Sequence, residues 1–449
     1  MNNKYLVIDQ DGNEHDPKVY VADVSVDPEF RLLIQREALG VGAGGSVAGV
    51  KFHEYARKLG FCWEENAPIG FLQYNYKANL IMELVKLYAR QLVVDIGFPI
   101  YEVRGSNFFD LKHPVVEAYA DLFGERLLRS KNRGDNLVMS YDASYPQFNL
   151  ASKMQLKAKD LPFAHFSISD CYRYEQSGEC MLMFRGRRFF MPDLHPYLKS
   201  VDEAFEWYPK IDKVIRSAME PFGKQYWNLV KVSSENNWEK YREQIVSAVG
   251  RAGKPFLVDI RQNKEEKYWV IDVDFSVIDS LEQVREIGCI QIDVGNAERL
   301  GISYEDDGVK RYPVIIHSAV PGGIERYIYA QMDSIVAGRA VSFPFWLHPI
   351  QLRVIPVSEK FVPDVVDLVE ILRDEGVNLR IEIDDRDMNV SKRVRFARED
   401  LVPEVLVFGE KEVGDVKAVV EGLRSMADRS AGFPYLPISW PNMMKGQIR

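Results

Sequence analysis

Past residue 350 the sequence settles into a regular alternation of short β-branched runs and amphipathic helical stretches, and that alternation restricts the fold more than any other feature. Segments 352–357, 379–384 and 405–409 read as strands, while 362–374, 391–398 and 413–427 read as helices. Strands joined through helices are not hairpin neighbours, so this region must form a parallel or mixed sheet with crossover helices. Upstream the rhythm differs. Strand-like runs at 256–260, 268–275 and 287–294 are separated by turn chemistry, and helical periodicity covers 201–219 and 234–249, which predicts an antiparallel sheet flanked by helices. The change falls across the proline-rich stretch Phe343-Pro344-Phe345-Trp346-Leu347-His348-Pro349. Three parts are therefore expected: a short N-terminal extension and hinge (1–50), an α+β domain (51–345) and an α/β domain (346–449).

The first part holds a strand at 5–9, a helical stretch near 30–38 and the glycine cluster Gly40–Gly49. That cluster lacks the GKS or GKT ending of a phosphate loop and has no βαβ setting, so it reads as a flexible hinge. Helical spacing follows at 53–59 and at 78–94, where Leu80, Ile81, Leu84, Val85, Tyr88 and Leu92 recur. The longer helix stops at Gly97, and 98–103 follows as a strand with Pro99 near its start, where a missing N–H costs least. No run approaches the ~18 apolar residues of a membrane span, and the N-terminus carries no basic-then-apolar leader, so a cytoplasmic protein with no membrane partner is expected. Cys62, Cys171, Cys180 and Cys289 form no CxxC pair and read as reduced thiols.

Chemistry concentrates in Cys171-Tyr-Arg-Tyr-Glu-Gln-Ser-Gly-Glu and in Arg185-Gly-Arg-Arg-Phe-Phe-Met-Pro-Asp-Leu-His195. Read as two strands around a loop, they put Arg173 and Glu175 on one face, and give Arg185, Arg187, Phe189, Met191, Asp193 and His195 a common parity unless Pro192 introduces a bulge. Guanidinium groups, an aromatic plate, a carboxylate and an imidazole make a poor core and a reasonable nucleotide site, since arginine matches phosphate oxygens and a ring stacks a base. Alone, such a strand is more often a salt-bridged solvent face. Gly322-Gly323-Ile-Glu325-Arg326 adds close backbone approach at a helix N-terminus, where anions are favoured.

These segments resemble the class II aminoacyl-tRNA synthetases: Arg173-x-Glu175 with Arg185 and Phe189 looks like their motif 2, GGIER at 322–326 like motif 3, and the helix ending at Gly97-x-Pro99 like motif 1. RYEQSG and MPDLH narrow the resemblance to archaeal-type threonyl-tRNA synthetases over roughly residues 50 to 449. The resemblance implies a class II catalytic fold followed by an anticodon-binding domain with a mixed sheet. It further implies ATP-dependent ligation of threonine to tRNA(Thr) through an adenylate, and a homodimer built around Gly97 and Pro99. Carried over position by position, Arg173 would hold the α-phosphate and the amino-acid carboxylate, Glu175 would accept from the adenine amino group, and Phe189 would stack on adenine. Arg185 and Arg326 would neutralise the outer phosphates, Mg²⁺ would bridge them, and Gln291 would face the aminoacyl pocket with Asp193.

Members of this family read threonine through a zinc ion on one cysteine and two histidines. His195 and His317 match the histidines, but within Ser140-Tyr-Asp-Ala-Ser-Tyr-Pro-Gln-Phe148 the cysteine position is Ser144. A serine hydroxyl is a poor zinc ligand. Either Asp142 or Asp193 completes a site of two histidines and a carboxylate, or the pocket reads the hydroxyl by hydrogen bonds alone. Such a pocket separates serine from threonine by one methyl, roughly 1–3 kcal/mol, so proofreading is needed. No segment reads as an editing domain, which implies serine mischarging and a separate editing protein acting in trans. In the C-terminal part the resemblance makes Glu412 and Arg395 candidates for anticodon contact. A net charge of −9 excludes a protein that coats nucleic acid nonspecifically, not one that reads a tRNA locally. The competing readings are a prolyl- or histidyl-type enzyme and a synthetase paralogue serving as a regulatory or RNA-binding subunit.

Overall fold

The computed structural model describes residues 3–42, 49–132, 135–262 and 267–438. They fall into two compact units, one of residues 1–51, 63–72 and 89–339 and the other of 52–62, 73–88 and 340–449. The chain thus divides elsewhere than at the boundaries read from sequence. Most of the glycine cluster expected as a hinge, 43–48, lies outside the described residues.

The first unit is built on ten strands: Lys4–Ile8 (β1), Glu14–His15 (β2), Ile100–Glu102 (β3), Phe163–Tyr172 (β4), Arg188–Leu198 (β5), Trp227–Val232 (β6), Phe256–Ile260 (β7), Trp269–Ile278 (β8), Val284–Asp293 (β9) and Val314–Ala319 (β10). Their order is β2-β1-β7-β6-β8-β9-β10-β5-β4-β3. The sheet is antiparallel except where β6 meets β7 and β4 meets β3. The expected N-terminal strand is part of it, with Tyr5 opposite Asp259 and Val7 opposite Leu257, so the first fifty residues are not a separate extension. Helices flank the sheet: Ser144–Ala151 (α1), Val201–Ser217 (α2), Glu235–Ala252 (α3) and Ile324–Val336 (α4). α2 begins where the Ser200 hydroxyl accepts the Glu203 N–H, and it buries Ala204, Tyr208, Ile211 and Ile215 at helical spacing.

The second unit carries three parallel strands, Leu352–Pro356 (β11), Ile381–Ile383 (β12) and Glu404–Phe408 (β13), with β11 in the middle. The crossovers are Val362–Asp374 (α5) and Val390–Glu399 (α6), as the alternation requires. Glu410–Gly414 (α7) and Val416–Ala427 (α8) follow. Val354, Val365, Leu368, Ile383 and Phe408 form its core. Arg353 on β11 is buried against Glu382 at 2.6 Å and Asp400 at 2.9 Å, a charge that burial tolerates because it is paired. Among the described residues no helix is long and apolar enough to cross a membrane.

Candidate active site

β4 and β5 pair without a register break from Tyr172 opposite Arg188 to Phe163 opposite Tyr197, so Pro192 makes no bulge. Parity therefore holds, and Phe189, Met191 and Asp193 face one cavity of about 690 Å³. Arg173, Ser144, Gln291, His317 and Arg326 line the same cavity. His195 is fully buried, with Nε2 3.1 Å from Ser144 Oγ. One expectation fails in detail. Arg185 is not on the strand, which starts at Arg188; it closes a turn with Met181, N–H to carbonyl 2.8 Å.

On one side of the cavity the groups are cationic and held mostly by backbone. Arg173 Nε donates to the Tyr141 carbonyl at 3.0 Å, and its guanidinium lies 5.2 Å from the Phe189 ring centroid. Arg326 donates to the carbonyls of Phe184 (3.3 Å) and Glu286 (3.0 Å). Arg185 pairs at 3.8 Å with both Glu175 and Glu179. Glu175 is buried, and its Oε2 accepts no hydrogen bond. The turn before α4 explains its glycines: Gly322 has φ +144°, and a Cβ there would sit 2.6 Å from the Ile287 carbonyl oxygen.

On the other side, protonation is set by burial and partners. The Gln147 amide donates to Ser167 Oγ (2.8 Å) and to the Asp193 carbonyl (3.0 Å), which leaves its oxygen to accept His195 Nδ1–H at 2.9 Å. His195 Nε2 is therefore a lone pair, and burial holds its pKa well below the ordinary value. His317 Nε2 donates to Asp293 at 2.7 Å. Burial opposes the imidazolium, but the carboxylates of Asp293, Asp193 and Asp142 outweigh it and raise the His317 pKa. The inner nitrogens, His195 Nε2 and His317 Nδ1, face each other at 3.2 Å, within reach of a hydrogen bond between the rings. Ser144 Oγ bridges the group, 3.3 Å from both His317 Nδ1 and Asp193 Oδ2. Burial pushes the Asp193 carboxyl up to about 7. Asp142 lines the same cavity, with its carboxylate accepting the Tyr119 hydroxyl at 2.7 Å and the Tyr145 N–H at 3.2 Å.

This donor set does not fit the zinc site of the family. The corner where a thiolate would offset the ion's charge holds a neutral hydroxyl, and among the described residues no three His, Cys, Asp or Glu side chains are grouped to bind a metal ion.

Three functional side chains escaped the sequence reading. Gln147 lies one helical turn from Ser144 on α1, and Asp293 shares the parity of Gln291 on β9, so spacing was a signal for both. Glu325 stands in the GGIER run without a role of its own in the sequence reading; it is buried and accepts the Phe190 N–H at 2.9 Å, tying α4 to β5. In the second unit Arg395 is exposed on α6 and pairs with Glu399 at 3.3 Å, while Glu412 caps α7 by accepting the Gly409 N–H at 2.9 Å.

Residues 126–335 match the tRNA synthetase class II core domain family (G, H, P, S and T), and residues 351–430 match the anticodon binding domain family. A broad antiparallel sheet with a glycine-led helix and motif-bearing strands around one cavity, followed by that second domain, defines a class II aminoacyl-tRNA synthetase. The threonine–tRNA ligase of Pyrobaculum calidifontis is 37% identical over 98% of this chain and 74% of its own length, and that of Hyperthermus butylicus is 38% identical over 96% and 69%. The chain belongs to the threonine–tRNA ligase family. The folds agree: the crystal structure of the RNA binding domain of threonyl-tRNA synthetase from Cryptosporidium parvum superposes with a TM-score of 0.73 at 19% identity, covering 85% of this chain and 98% of that one. A threonyl-tRNA synthetase of Aeropyrum pernix gives 0.66 at 18% identity, covering 87% and 99%.

Proposed function

We propose that the cavity of the first unit activates threonine with ATP and passes it to tRNA(Thr), and that it reads the threonine hydroxyl through hydrogen bonds rather than through zinc. The observation that carries the reading is the convergence on one cavity of Arg173, Phe189, Arg326, Gln291, Asp193, Ser144 and His317, drawn from six separated segments.

Arg173 holds the α-phosphate and the amino-acid carboxylate together, so that carboxylate oxygen and phosphorus meet without a covalent catalyst; positioning and charge stabilisation supply the rate. The Glu175 oxygen that accepts no hydrogen bond within the protein takes the adenine amino group, Phe189 stacks on the base, and Arg185 and Arg326 meet the outer phosphates. Enzymes of this class use ATP with Mg²⁺. Glu286, which lines the cavity half-exposed, is a suitable oxygen donor for the ion. Asp193 and Gln291 take the ammonium group, and Ser144 with the paired imidazoles presents a polar wall to the hydroxyl. A valine side chain would leave that wall unpaired, whereas serine lacks only a methyl. Seryl-adenylate is therefore expected, and clearance of seryl-tRNA falls to a separate editing protein in trans.

Pairing of two chains along β3, the last strand of the sheet, just past Gly97 and Pro99, is supported by its place in the strand order and by the exposure of Tyr101. In the second unit, Arg395 and Glu412 are proposed to meet the anticodon.

ATP–pyrophosphate exchange with threonine, serine, proline and histidine tests this reading. Threonine should lead, serine should follow within about 200-fold, and the other two should be inert. Exchange with proline or histidine alone would replace the assignment by another member of the class, and no exchange at all would favour a regulatory paralogue. A charging assay that yields no seryl-tRNA would remove the need for an editing partner.

A further inference from the structure

The register of the sheet lays one row of polar side chains across the cavity wall. Lys231 on β6 is opposite Asp272 on β8, Asp272 is opposite Gln291 on β9, and Gln291 is opposite His317 on β10. Cross-strand partners share a face and lie close enough to touch, and all four line the cavity. Lys231 Nζ is 3.5 Å from an Asp272 oxygen and is itself anchored by Asp274 at 2.6 Å. The register sets the Gln291 side chain beside Asp272, and the amide favours the carboxylate form there. Burial, helped by the Glu286 carboxylate, raises the Asp272 pKa; the Lys231 ammonium and the Gln291 amide oppose the rise without reversing it.

A glutamine amide has a donating end and an accepting end, and a carboxylate can engage only the donating one. The neighbour therefore decides which end the substrate meets. We propose that Asp272, held by Lys231, is a positioning residue that turns the Gln291 NH₂ away from the substrate and leaves its carbonyl oxygen facing the aminoacyl pocket, where it accepts from the amino-acid ammonium group. The inference rests on the reading of Gln291 as part of that pocket. Its consequence is selection for the amine: the α-hydroxy analogue of threonine, which lacks the ammonium charge, is discriminated against by an oxygen whose orientation is set from the neighbouring strand.

The test measures KM for threonine and for ATP, and inhibition by 2,3-dihydroxybutanoate, in Asp272→Asn, Asp272→Ala, Gln291→Ala and the Asp272→Asn/Gln291→Ala double variant. Each Asp272 variant should raise the threonine KM about tenfold, leave the ATP KM within about twofold, and narrow the gap between threonine and its hydroxy analogue. In the Gln291→Ala background the Asp272 change should add almost nothing, because the group it positions is gone. Equal losses with and without Gln291, or parallel rises in the ATP KM, would overturn the proposal in favour of a structural role for Asp272. A Gln291→Ala enzyme with unchanged threonine KM would overturn the reading of Gln291, and the positioning role with it. Asp272→Ala, smaller and neutral, keeps the test decisive if Asp272→Asn does not fold.

Discussion

The two sides of the cavity solve recognition in opposite ways. Around the proposed nucleotide end, Arg173 and Arg326 carry permanent charge and lean on backbone carbonyls, so their chemistry is already complete in the side chain. Opposite them, Asp193, His195 and His317 are buried, and burial and neighbours together set their pKa values: the carboxylates around His317 raise its pKa against burial, while burial and His317 lower that of His195. A phosphate-binding wall can be built from fixed charges kept partly wet. A hydroxyl-reading wall needs donors and acceptors in set orientations, and only a dry, fully connected network provides them.

The contrast can be broken most severely at Arg173. Arg173→Ala should lower kcat/KM in pyrophosphate exchange by about 100-fold or more with little change in the thermal midpoint, since its contacts are one carbonyl and two ring faces. A drop of less than about tenfold would mean that charge at this point is not stabilising the transition state. Ser144→Cys restores a thiolate between the imidazoles and should raise bound zinc, by elemental analysis of purified protein, from substoichiometric to about one ion per chain. Stoichiometric zinc in the unaltered protein would refute the hydrogen-bonding wall.

Asp193→Asn should raise the threonine KM by roughly tenfold and spare the ATP KM, whereas Glu175→Gln should do the reverse, weakening ATP by several-fold and reducing preference over GTP. If both substitutions moved both constants equally, the two ends would not be separable. The smallest effect is in pH. With the Asp193 carboxyl pushed up to about 7 by burial, the threonine KM should fall as pH rises through that value and the acceptor ionises. Stability should move the other way: a carboxyl whose folded pKa exceeds its unfolded one favours the fold at low pH, and that contribution is lost as pH climbs through about 7. Asp193→Asn should flatten both curves.

The same division explains what was legible in the sequence. Arg173, Glu175, Phe189 and Arg326 stand out because fixed charge and aromaticity at fixed spacing are visible one segment at a time. The C-terminal alternation was equally plain, and its three strands are parallel with crossover helices. The aminoacyl wall was read only in part: the resemblance named Ser144, His195, Gln291 and His317, but Gln147 and Asp293 join them only in the folded chain, which brings together groups as far apart as Ser144 and His317. His195 and His317 were expected together, yet the residues that set their tautomers were not. Arg185 was placed on the strand because parity alone does not reveal where a turn ends.

The hydrogen bond from the Phe190 N–H to Glu325 also bears on how the molecule can be re-engineered. It pins the strand carrying Phe189 to the helix carrying Arg326, so the two behave as a single jaw. On the proposed reading, libraries aimed at new amino acids can vary positions 144, 193 and 291 while leaving that jaw untouched, whereas changing residue 325 would loosen the proposed hold on ATP.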